Sequence, residues 1–419
     1  MAKYVISGGK KLKGKITILG NANSIFPCMA AALLINQPIT LHNLPQIDDI
    51  KVFSEILERL GATIKQQNNS LTIQVKAIKT HVLPADLVRR LRASILLVGP
   101  LLARTGQVKF NYPGGDIIGL RSIDPHLEGL RHLGYQFKKV DLYYTGSLKK
   151  LRQQKLEHFL NEASVTTTEN LILVSVLKPG QTVLKNCASE PHIVDLCNML
   201  HQMGAKIDGI GSSTLSISGV DKLAGTEFTV GHDYIEMGTY AIAAALTRGA
   251  IEFENCCLDD LEPIFNPLRK MGLGFKEKDN IIQVHCPKIL PIPKLTTNIW
   301  PGFPTDIMSP AIVLATQAQG ISLLHDWMYE SRMFFVDKLI SMGANITIAD
   351  PHRVLVYGPT RLKGRKLDTP DIRAGIALVL AALAADGESV IDHAELIERK
   401  YGNVVENLSS LGATIKRIS

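Results

Sequence analysis

Residues 53–66 read FSEILERLGATIKQ and combine the signals of a helix, a turn and a strand. Its apolar residues recur at intervals of three and four up to Leu60, which predicts an amphipathic helix with one buried face. Gly61 follows at the position where a helix C-terminus favours a left-handed residue. The alternation after Gly61 predicts a short strand. The stretch therefore predicts a helix, a glycine stop and a strand.

The same pattern recurs five more times along the chain. The glycines that end the six helices are Gly61, Gly134, Gly204, Gly272, Gly343 and Gly412, spaced 73, 70, 68, 71 and 69 residues apart. A more apolar helix, rich in small residues, precedes each of them and begins near residues 24, 93, 166, 237, 309 and 373. Each copy of about seventy residues therefore predicts a buried helix, a strand, an amphipathic helix and a pair of strands.

Two kinds of protein carry repeats of this general sort. A solenoid scaffold stacks its repeats to present a concave face to a protein partner. Solenoid repeats are shorter than these, and residues 373–385 have the composition of a helix that is buried on all sides. The pattern therefore favours globular α/β domains over a protein-binding solenoid.

The length and composition bound the number of domains. The chain has 419 residues, 46% of them hydrophobic, which is more than one core usually holds, so we expect two domains of about two hundred residues each. The N-terminus MAKYVISGGKKLKGKITI has no apolar run after its charges, which predicts no signal peptide. The longest apolar run, Ala374 to Ala385, is shorter than the ~18 residues of a membrane span, so no membrane insertion is predicted.

The charge and the cysteines narrow the range of partners. The net charge is +7, but no basic run is joined to aromatic residues, so we expect no nucleic-acid partner. An anionic small substrate and a solvated basic surface fit this charge equally well. The six cysteines form no C-x-x-C pair, which indicates reduced thiols in a cytoplasm. No cluster of His and Cys has metal-ligand spacing, so the sequence predicts no metal site.

Polar segments stand just ahead of the apolar helices. They are GNANS (20–24), RRLRAS (89–94), ASVTTTEN (163–170), HDYIEMG (232–238), FPTDIMSP (303–310) and TPDIRAG (369–375). Helix N-termini present free N–H groups and positive potential, which suit bound anions. Capping explains Ser, Thr, Asp or Asn there, but it does not explain Arg92 and Arg373, because cations are disfavoured at helix starts. A bound phosphate or carboxylate explains these arginines better than a surface salt bridge does.

The motifs of several common enzyme classes are missing. The sequence contains no Walker motif, no G-x-G-x-x-G and no G-x-S-x-G, which argues against a P-loop ATPase, a Rossmann dehydrogenase and a serine hydrolase. The segment YPGGD (112–116) instead places a carboxylate in a tight turn, and Arg121, Asp124 and His126 follow it.

Nine collinear segments together point to a known family. They are GGKKLKGKITILGNAN, LRASILLVGPLLAR, YPGGDIIGLRSIDPHLEGLRHLG, ASVTTTENL, CASEPHIVDLCNML, FPTDIMSPAIVLA, YESRMFFVDKL, PDIRAGIALVLAA and IERKYGNVVENLSSLGA. These segments resemble the enolpyruvyl transferases, in particular the members that act on UDP-N-acetylglucosamine. The resemblance implies two inverse α/β-barrel-like domains of three repeats each, with a ligand cleft between them. One domain would comprise residues 1–21 plus 231–419, and the other residues 22–230.

The resemblance also implies an activity. It is the transfer of enolpyruvate from phosphoenolpyruvate to the 3-hydroxyl of UDP-N-acetylglucosamine with release of phosphate, the first committed step of peptidoglycan synthesis. This chemistry needs an acid, a base and cations but no cofactor. The catalytic residues that the resemblance implies are Asp116, Asp306 and Arg399. The substrate-binding residues that it implies are Asn23, Arg92, Arg121, Ser122, Ile123, Asp124, Pro125, Ser164, Val165, Asp306, Met328, Arg332, Asp371 and Arg373.

The resemblance gives these residues different roles. Asp306 would be the base for the sugar hydroxyl, and Arg332, Asp371 and Arg373 would line the phosphoenolpyruvate pocket. Arg92, Arg121 and Arg399 would bind phosphates, while Asn23 and Met328 would contact the sugar. The stretch 121–125 would hold the uracil, and backbone N–H groups of Ser164 and Val165 would contact the diphosphate.

Several positions depart from the family pattern. Asp116 stands where most members carry a proton-donating cysteine that fosfomycin alkylates, so we expect a carboxylic acid donor with a raised pKa and no alkylation. Ala22 stands where the family has a lysine that contacts phosphoenolpyruvate. Thr166 and Lys400 each replace a glycine, which adds bulk beside ligand-binding backbone.

These departures leave three functions open. The first is the activity described above, and the second is enolpyruvyl transfer to another nucleotide or nucleotide-sugar acceptor. The third is a UDP-sugar-binding protein without catalysis. The retained aspartates and arginines favour an enzyme, whereas the loss of the lysine at position 22 favours the binding protein. The sequence does not indicate an oligomeric state.

Overall fold

The computed structural model describes residues 2–115, 121–149, 155–254, 256 and 261–418. Asp116 and Cys257 lie outside the described residues. Contacts divide the described chain into two units. Unit 1 contains residues 2–18 and the described part of 233–418, and unit 2 contains residues 19–115 and 121–232. Each unit has its own hydrophobic core.

The secondary structure alternates between strands and helices throughout. The strands are β1 (Lys3–Ser7), β2 (Lys13–Thr17), β3 (Ile39–His42), β4 (Thr63–Gln67), β5 (Ser70–Gln74), β6 (Gln107–Asn111), β7 (Tyr135–Val140), β8 (Tyr143–Leu148), β9 (Leu156–Phe159), β10 (Gln181–Lys185), β11 (Lys206–Asp208), β12 (Thr214–Ser218), β13 (Thr226–Thr229), β14 (Ala250–Glu254), β15 (Gly274–Lys278), β16 (Ile281–His285), β17 (Leu295–Thr296), β18 (Gly320–His325), β19 (Asn345–Asp350), β20 (Arg353–Gly358), β21 (Lys366–Asp368), β22 (Glu388–Asp392) and β23 (Thr414–Ile418). The α-helices are α1 (Ile25–Ala31), α2 (Asp49–Leu60), α3 (Ala85–Val88), α4 (Val98–Thr105), α5 (Asp124–His132), α6 (Val165–Ser175), α7 (Pro191–Gln202), α8 (Tyr234–Leu246), α9 (Glu262–Lys270), α10 (Thr305–Ala315), α11 (Val336–Ser341), α12 (Ile372–Ala384), α13 (Glu395–Glu398) and α14 (Val404–Ser410). Two 3₁₀ helices cover Ala32–Leu34 and Arg92–Leu97.

Six sheets of the described chain follow one plan. Their strand orders are β21-β22-β1-β23, β15-β16-β14-β2 and β17-β18-β20-β19 in unit 1, and β13-β3-β5-β4, β6-β8-β7 and β11-β12-β10-β9 in unit 2. In five of these sheets the strand after the buried helix pairs antiparallel with one strand of a hairpin, as β14 does with β16. In the sixth sheet, β22 pairs antiparallel with β1 from the N-terminus, and β1 pairs with β23. The predicted repeat of buried helix, strand, outer helix and strand pair is therefore confirmed in five copies, whereas the last copy obtains one strand of its pair from the N-terminus. The α/β class is also confirmed.

A parallel strand that the sequence analysis did not predict completes most of these sheets. β2 lies parallel to β14, β13 to β3 and β21 to β22. In the sheet of β6, a single parallel bridge between Val82 and Lys109 takes this place. These strands are as short as two residues, so they carry no periodic signal in the sequence.

Strands from distant parts of the chain close each unit. β23 is the one strand that follows the last outer helix in the described chain, and it pairs with β1 from the N-terminus. In unit 2, β13 near the end of the unit pairs with β3 near its start. The first and last repeats of each unit therefore depend on each other for a complete sheet.

The predicted buried helices form the centre of each unit. In unit 1, α8, α10 and α12 pack against one another, and α12 is buried from Ile372 to Leu383. In unit 2, α1, α4, α6 and the 3₁₀ turn at residues 92–97 take the same place. Small side chains allow this close packing, as the composition of these helices predicts.

The six predicted glycine stops are confirmed as left-handed residues. The φ angles at positions 61, 134, 204, 272, 343 and 412 are 115°, 105°, 101°, 97°, 103° and 96°. At Gly61 a side chain would also collide, because a Cβ atom there would lie 2.5 Å from the carbonyl oxygen of Ala77. Glycine is therefore required at this turn for conformation and for space.

Three further properties concern the described residues alone. None of their helices combines the length and apolar character of a membrane span. They include no group of three or more His, Cys, Asp or Glu side chains placed to hold a metal ion. The cysteines among them are free thiols, and those five are buried.

Candidate active site

The N-terminal ends of the three buried helices in unit 1 each carry an aspartate. Asp233 caps α8, because its Oδ1 accepts hydrogen bonds from the backbone N–H groups two and three residues later, both at 3.0 Å. Asp371 caps α12 in the same way, at 2.8 and 3.0 Å. Asp306, in the first turn of α10, faces two arginine side chains instead. Two of these carboxylates therefore stabilise helix ends, and the third takes part in an ion-pair cluster.

The ion-pair cluster consists of Asp306, Arg332 and Arg373. Arg373 Nη2 donates to Asp306 Oδ2 at 2.7 Å, and Arg332 Nη2 donates to Asp306 Oδ1 at 3.3 Å. The exposed fractions of Arg332 and Arg373 are only 2% and 8%. Two buried guanidinium groups thus converge on one carboxylate, and guanidinium groups suit an anionic ligand.

Burial and the neighbouring cations shift the pKa of Asp306 in opposite directions. Burial raises the pKa of its carboxyl, but the charges of Arg373, Arg332 and Lys400 outweigh that effect and bring the pKa to about 2. The carboxylate is therefore ionised at neutral pH, and it is a weak base while both arginines pair with it. A bound anion that pairs with the arginines offsets their positive charge, which raises the pKa of Asp306 and makes it a stronger base.

Arg332 has hydrogen-bonding capacity that the described residues leave unused. Its Nε and Nη1 atoms are buried and have no hydrogen-bond partner among them. Unpaired buried donors on a charged group cost free energy, so a ligand oxygen at this place would be bound favourably. Arg332 lies in the turn four residues before α11.

Asp326 is a buried carboxylate that the sequence analysis missed. Its Oδ1 accepts from the Thr297 hydroxyl at 3.2 Å and from the Met328 N–H at 3.0 Å, and its Oδ2 accepts from the Thr305 hydroxyl. Arg332 Nε lies 4.0 Å from the same Oδ2. Asp326 thus forms hydrogen bonds with Thr305 and with the backbone of Met328, and its carboxylate lies beside Arg332. The available signal was an aspartate directly after the last residue of β18, in LLHDW.

Arg399 and Lys400 occupy the turn between α13 and α14. Arg399 is the residue at which α13 ends, and the Lys400 N–H donates to the Ile397 carbonyl at 3.1 Å. The charge of Lys400 is one of the factors that lower the pKa of Asp306. Lys400 therefore adds a third cation around this carboxylate.

In unit 2, Arg92 contacts the stretch that follows the described gap. Its Nη2 donates to the Ser122 carbonyl at 3.1 Å, and its guanidinium lies 5.6 Å from the centre of the Tyr112 ring. The Tyr112 hydroxyl donates to the Arg121 carbonyl at 2.6 Å. Arg92 and Tyr112 therefore fix the backbone of residues 121–122 from two sides.

The residues after Arg121 form the start of α5. Ser122 Oγ donates to Asp124 Oδ2 at 2.7 Å, and the Asp124 N–H donates back to Ser122 Oγ at 3.0 Å. Ile123 is buried and precedes the helix, whose second residue is Pro125. The guanidinium of Arg121 forms no ion pair within the described residues, so its charge is available to a ligand.

The two glycines before Asp116 lie directly against this region. A Cβ atom on Gly114 would lie 1.6 Å from the Arg89 carbonyl oxygen, and one on Gly115 would lie 2.9 Å from the Arg92 Cβ. Gly115 also has a φ of +121°. These contacts explain the double glycine, because no side chain fits at either position. Asp116 itself is outside the described residues.

The start of α6 contains the residues expected to contact the diphosphate. The side chain of Ser164 caps the helix by accepting from the Thr167 N–H at 3.4 Å, and Val165 is its first residue. The Ser164 N–H donates to the Glu162 carbonyl at 2.8 Å, so this group is already used within the chain.

A neutral network supports the same helix end. The Gly99 N–H donates to Asn170 Oδ1 at 2.7 Å, which fixes the amide so that Nδ2 faces His126 Nδ1 at 3.1 Å. Nδ1 must then accept, so the ring proton is on Nε2, which donates to the Thr166 hydroxyl at 3.1 Å. Burial, and then the charge of Arg92, lower the pKa of His126 to about 3. Thr166, one of the departures from the family pattern, thus has a defined partner.

Position 22 lies in a polar turn before α1. Ala22 is buried, and the Asn23 N–H donates to Asn21 Oδ1 at 2.7 Å. Ser24 Oγ donates to Asp195 Oδ2 at 2.7 Å, which ties the turn to α7. The segment that supplies Asn23 is therefore held by hydrogen bonds that do not involve a cation at position 22.

Comparisons with known proteins agree with this architecture. The family model for EPSP synthase (3-phosphoshikimate 1-carboxyvinyltransferase) matches residues 6–408. A relative from Treponema denticola named UDP-N-acetylglucosamine 1-carboxyvinyltransferase is 44% identical over 425 residues, which cover 99% of each chain. One of the same name from Borrelia garinii subsp. bavariensis is 45% identical over 100% of this chain and 99% of its own. The crystal structure of the enolpyruvyl transferase NikO from Streptomyces tendae has the same fold, with a TM-score of 0.89 over 99% of this chain and 98% of that chain at 24% identity.

The repeats and these matches together define an enolpyruvyl transferase, and the chain belongs to that family of enzymes. Within it, the chain belongs with the UDP-N-acetylglucosamine 1-carboxyvinyltransferases, because it is 42–45% identical to several of them over almost its whole length. The resemblance read from the nine sequence segments is thereby confirmed.

Proposed function

We propose that this protein transfers the enolpyruvyl group of phosphoenolpyruvate to the 3-hydroxyl of UDP-N-acetylglucosamine and releases phosphate, the first committed step of peptidoglycan synthesis. Sequence identity of 44–45% over almost the whole chain to enzymes named UDP-N-acetylglucosamine 1-carboxyvinyltransferase supports the proposal. The structural observation that carries it is the buried carboxylate of Asp306 between Arg332 and Arg373.

Asp306 is the proposed base of the reaction. Phosphoenolpyruvate carries a phosphate and a carboxylate, which the two arginines and Lys400 neutralise. As the charge of the arginines is taken up by the substrate, the pKa of Asp306 rises from about 2 and the carboxylate can accept the proton of the sugar hydroxyl. The base is therefore weak in the absence of substrate and gains strength when the anionic substrate binds.

Asp116 is the proposed acid that protonates the enol methylene. A carboxylic acid in this role needs a pKa raised toward neutrality, by burial or by neighbouring negative charge. Because the chain has no thiol at this position, fosfomycin is expected to leave the protein unmodified, which mass spectrometry of the treated protein would check.

The sequence-predicted residues of unit 2 are proposed to bind the acceptor. Arg121, Asp124 and the backbone of Ser122, Ile123 and Pro125 form one proposed contact surface for the uracil. Arg92, Ser164 and Val165 are proposed to contact the diphosphate. Of the two N–H groups at the start of α6, that of Val165 is the proposed donor, because that of Ser164 already donates to Glu162.

The remaining assignments are proposed on the same basis. Asn23 and Met328 are proposed to contact the sugar, Arg399 to bind phosphate and Asp371 to line the phosphoenolpyruvate pocket. The proposed domains are residues 1–21 with 231–419 and residues 22–230, and the proposed location is the cytoplasm. The substrates are small molecules, and no nucleic-acid partner or cofactor is proposed.

A phosphate-release assay with phosphoenolpyruvate and UDP-N-acetylglucosamine tests the function. Turnover with this acceptor supports the proposal. Turnover only with another nucleotide sugar would instead point to a different acceptor. Stabilisation against heat by UDP-N-acetylglucosamine without any turnover would indicate a binding protein. A strong gain of activity in Ala22→Lys would then identify position 22 as the missing element.

A further inference from the structure

Tyr401 joins three segments of unit 1 through its hydroxyl group. The residue lies in the turn between α13 and α14 and is 2% exposed. Arg373 Nη1 of α12 donates to the Tyr401 hydroxyl oxygen at 2.8 Å. The same oxygen lies 3.1 Å from the Thr239 hydroxyl of α8. One buried oxygen atom therefore connects α8, α12 and the turn that also carries Lys400.

The direction of these hydrogen bonds follows from the donors that are available. The Thr239 hydroxyl donates to the Ile235 carbonyl at 2.9 Å, so it has no proton left for Tyr401. The Tyr401 hydroxyl must therefore donate to Thr239 and accept from Arg373. Burial raises the pKa of the Tyr401 hydroxyl, which keeps this proton in place. The chain of donors runs from Arg373 through Tyr401 and Thr239 to the backbone of α8.

This chain determines how the guanidinium of Arg373 is oriented. A guanidinium is planar, so holding Nη1 on Tyr401 also determines where Nη2 points. Nη2 is the atom that lies 2.7 Å from Asp306 Oδ2. Tyr401 is not in contact with Asp306 through any described hydrogen bond, and its effect on this carboxylate passes through Arg373.

We propose that Tyr401 is a positioning residue for the transferase reaction: its hydroxyl holds Arg373 in the orientation that pairs with Asp306 and binds the anionic substrate. The expected effect on kcat rests on the proposed function, whereas the expected effect on anion binding rests on the geometry of the ion-pair cluster alone. Without the hydroxyl, Arg373 gains rotational freedom and leaves Nη1 without its buried acceptor.

The test compares Tyr401→Phe with Tyr4→Phe. Tyr4 is equally buried in unit 1, and its hydroxyl donates to Glu398 at 2.9 Å without contact to Arg373. Both variants lose one buried hydroxyl, so both are expected to lose thermal stability. Only Tyr401→Phe is expected to lower kcat, by about tenfold, because a hydrogen bond from a charged group is broken next to the reacting centre. Kinetics are measured well below both melting temperatures.

A binding measurement separates this inference from the proposed function. Inorganic phosphate, the expected product, is titrated calorimetrically into each variant, and its Kd is expected to rise about fivefold in Tyr401→Phe and to stay unchanged in Tyr4→Phe. This titration decides the inference even where the protein turns over no substrate. Thr239→Val, which removes the next link but keeps the shape of the side chain, is expected to act in the same direction with a smaller effect. The proposal is overturned if Tyr401→Phe and Tyr4→Phe match in both kcat and phosphate Kd, or, should Tyr401→Phe fail to fold, if Thr239→Val matches the unmodified protein in both.

Discussion

The helix N-termini of unit 1 and those of unit 2 arise from the same repeat, but their hydrogen-bond networks differ in charge. In unit 1, Asp306 is held between Arg332 and Arg373 in an ion-pair cluster. In unit 2, the Asn170–His126–Thr166 network is neutral, because the pKa of His126 is lowered to about 3. One backbone plan therefore supports a charged site suited to proton transfer and anions, and a neutral site suited to positioning.

The two units also differ in the protonation of one titratable side chain near their helix N-termini. In unit 2, burial keeps His126 unprotonated, as its lowered pKa shows. In unit 1, burial and the neighbouring charge of Asp233 raise the pKa of Glu236 to about 8, so this half-buried residue keeps its proton at neutrality. Burial disfavours the charged form of both side chains, and the charges of Asp233 and Arg92 add to this effect in the two units. Four substitutions test this difference between the two units.

Asp306→Asn is expected to have the largest effect. Removing the proposed base lowers kcat about 10³-fold, which corresponds to about 4 kcal/mol of transition-state stabilisation. The phosphate-release assay measures this change, and circular dichroism checks that the variant is folded. Asp350→Asn is the control, because Asp350 pairs with Arg353 at the surface and its loss is expected to change stability by at most about 1 kcal/mol and kcat not at all. Retained activity in Asp306→Asn would remove Asp306 from the mechanism.

His126→Gln is expected to change the pH dependence of stability. The unfolded chain takes up a proton at His126 below about pH 6.5, whereas the folded chain does so only near pH 3. The stabilisation from neutral His126 is thus fully present above pH 6.5 and is lost as the pH falls toward 3. The slope amounts to about 1.4 kcal/mol per pH unit, and His126→Gln is expected to remove it. Urea unfolding between pH 4.5 and 7 measures the slope, and an unchanged slope would contradict the neutral network.

Glu236→Gln is expected to have the opposite pH signature. The folded protein holds the proton of Glu236 up to about pH 8, whereas the unfolded chain loses it near pH 4.5. The stabilisation is therefore fully present below pH 4.5 and is lost as the pH rises toward 8. Glu236→Gln is expected to reduce the slope of the free energy of unfolding against pH, by the equivalent of about one bound proton. Urea unfolding between pH 5 and 8 measures this slope. If stability in both proteins changes equally over this range, Glu236 is ionised in the folded state.

Lys400→Gln is expected to have the smallest effect. It removes one cation near Asp306 while the two buried arginines remain, so the KM for phosphoenolpyruvate is expected to rise about tenfold with a smaller change in kcat. Lys416→Gln, an exposed residue on β23, serves as the control with unchanged kinetics. An unchanged KM in Lys400→Gln would show that the charge of Lys400 does not reach the substrate.

The repeat plan could be predicted because its signals are local. The apolar spacing in FSEILERL and the left-handed Gly61 depend on residues within one or two turns of the chain. The parallel strands could not be predicted in this way, because β17 has two residues and owes its conformation to its pairing with β18.

Some residues of the candidate site could be predicted from the sequence, and others could not. Resemblance alone indicated Asp306 and Arg332, whereas Arg373 was also indicated by its place at a helix start, and the structure places the three side chains together. Asp326 and Tyr401 were not assigned a role, because an aspartate after a strand and a tyrosine after an arginine are common. Their importance comes from what they contact: Thr305 and Arg332 for Asp326, and Arg373 and Thr239 for Tyr401.

The six repeats, the glycine stops, the buried helices and the family could all be predicted from the amino-acid sequence. These follow from short-range periodicity and from residue types that the chain displays directly. Which polar groups meet depends on the packing of the folded chain, since Asp306 and Arg373 are 67 residues apart and Thr239 and Tyr401 are 162 apart. Contacts over such separations depend on how α8, α10 and α12 pack, and packing is a property of the assembled core. The repeat thus predicts where polar helix ends occur, and the packed core decides that one end holds an ionised base while another stays neutral.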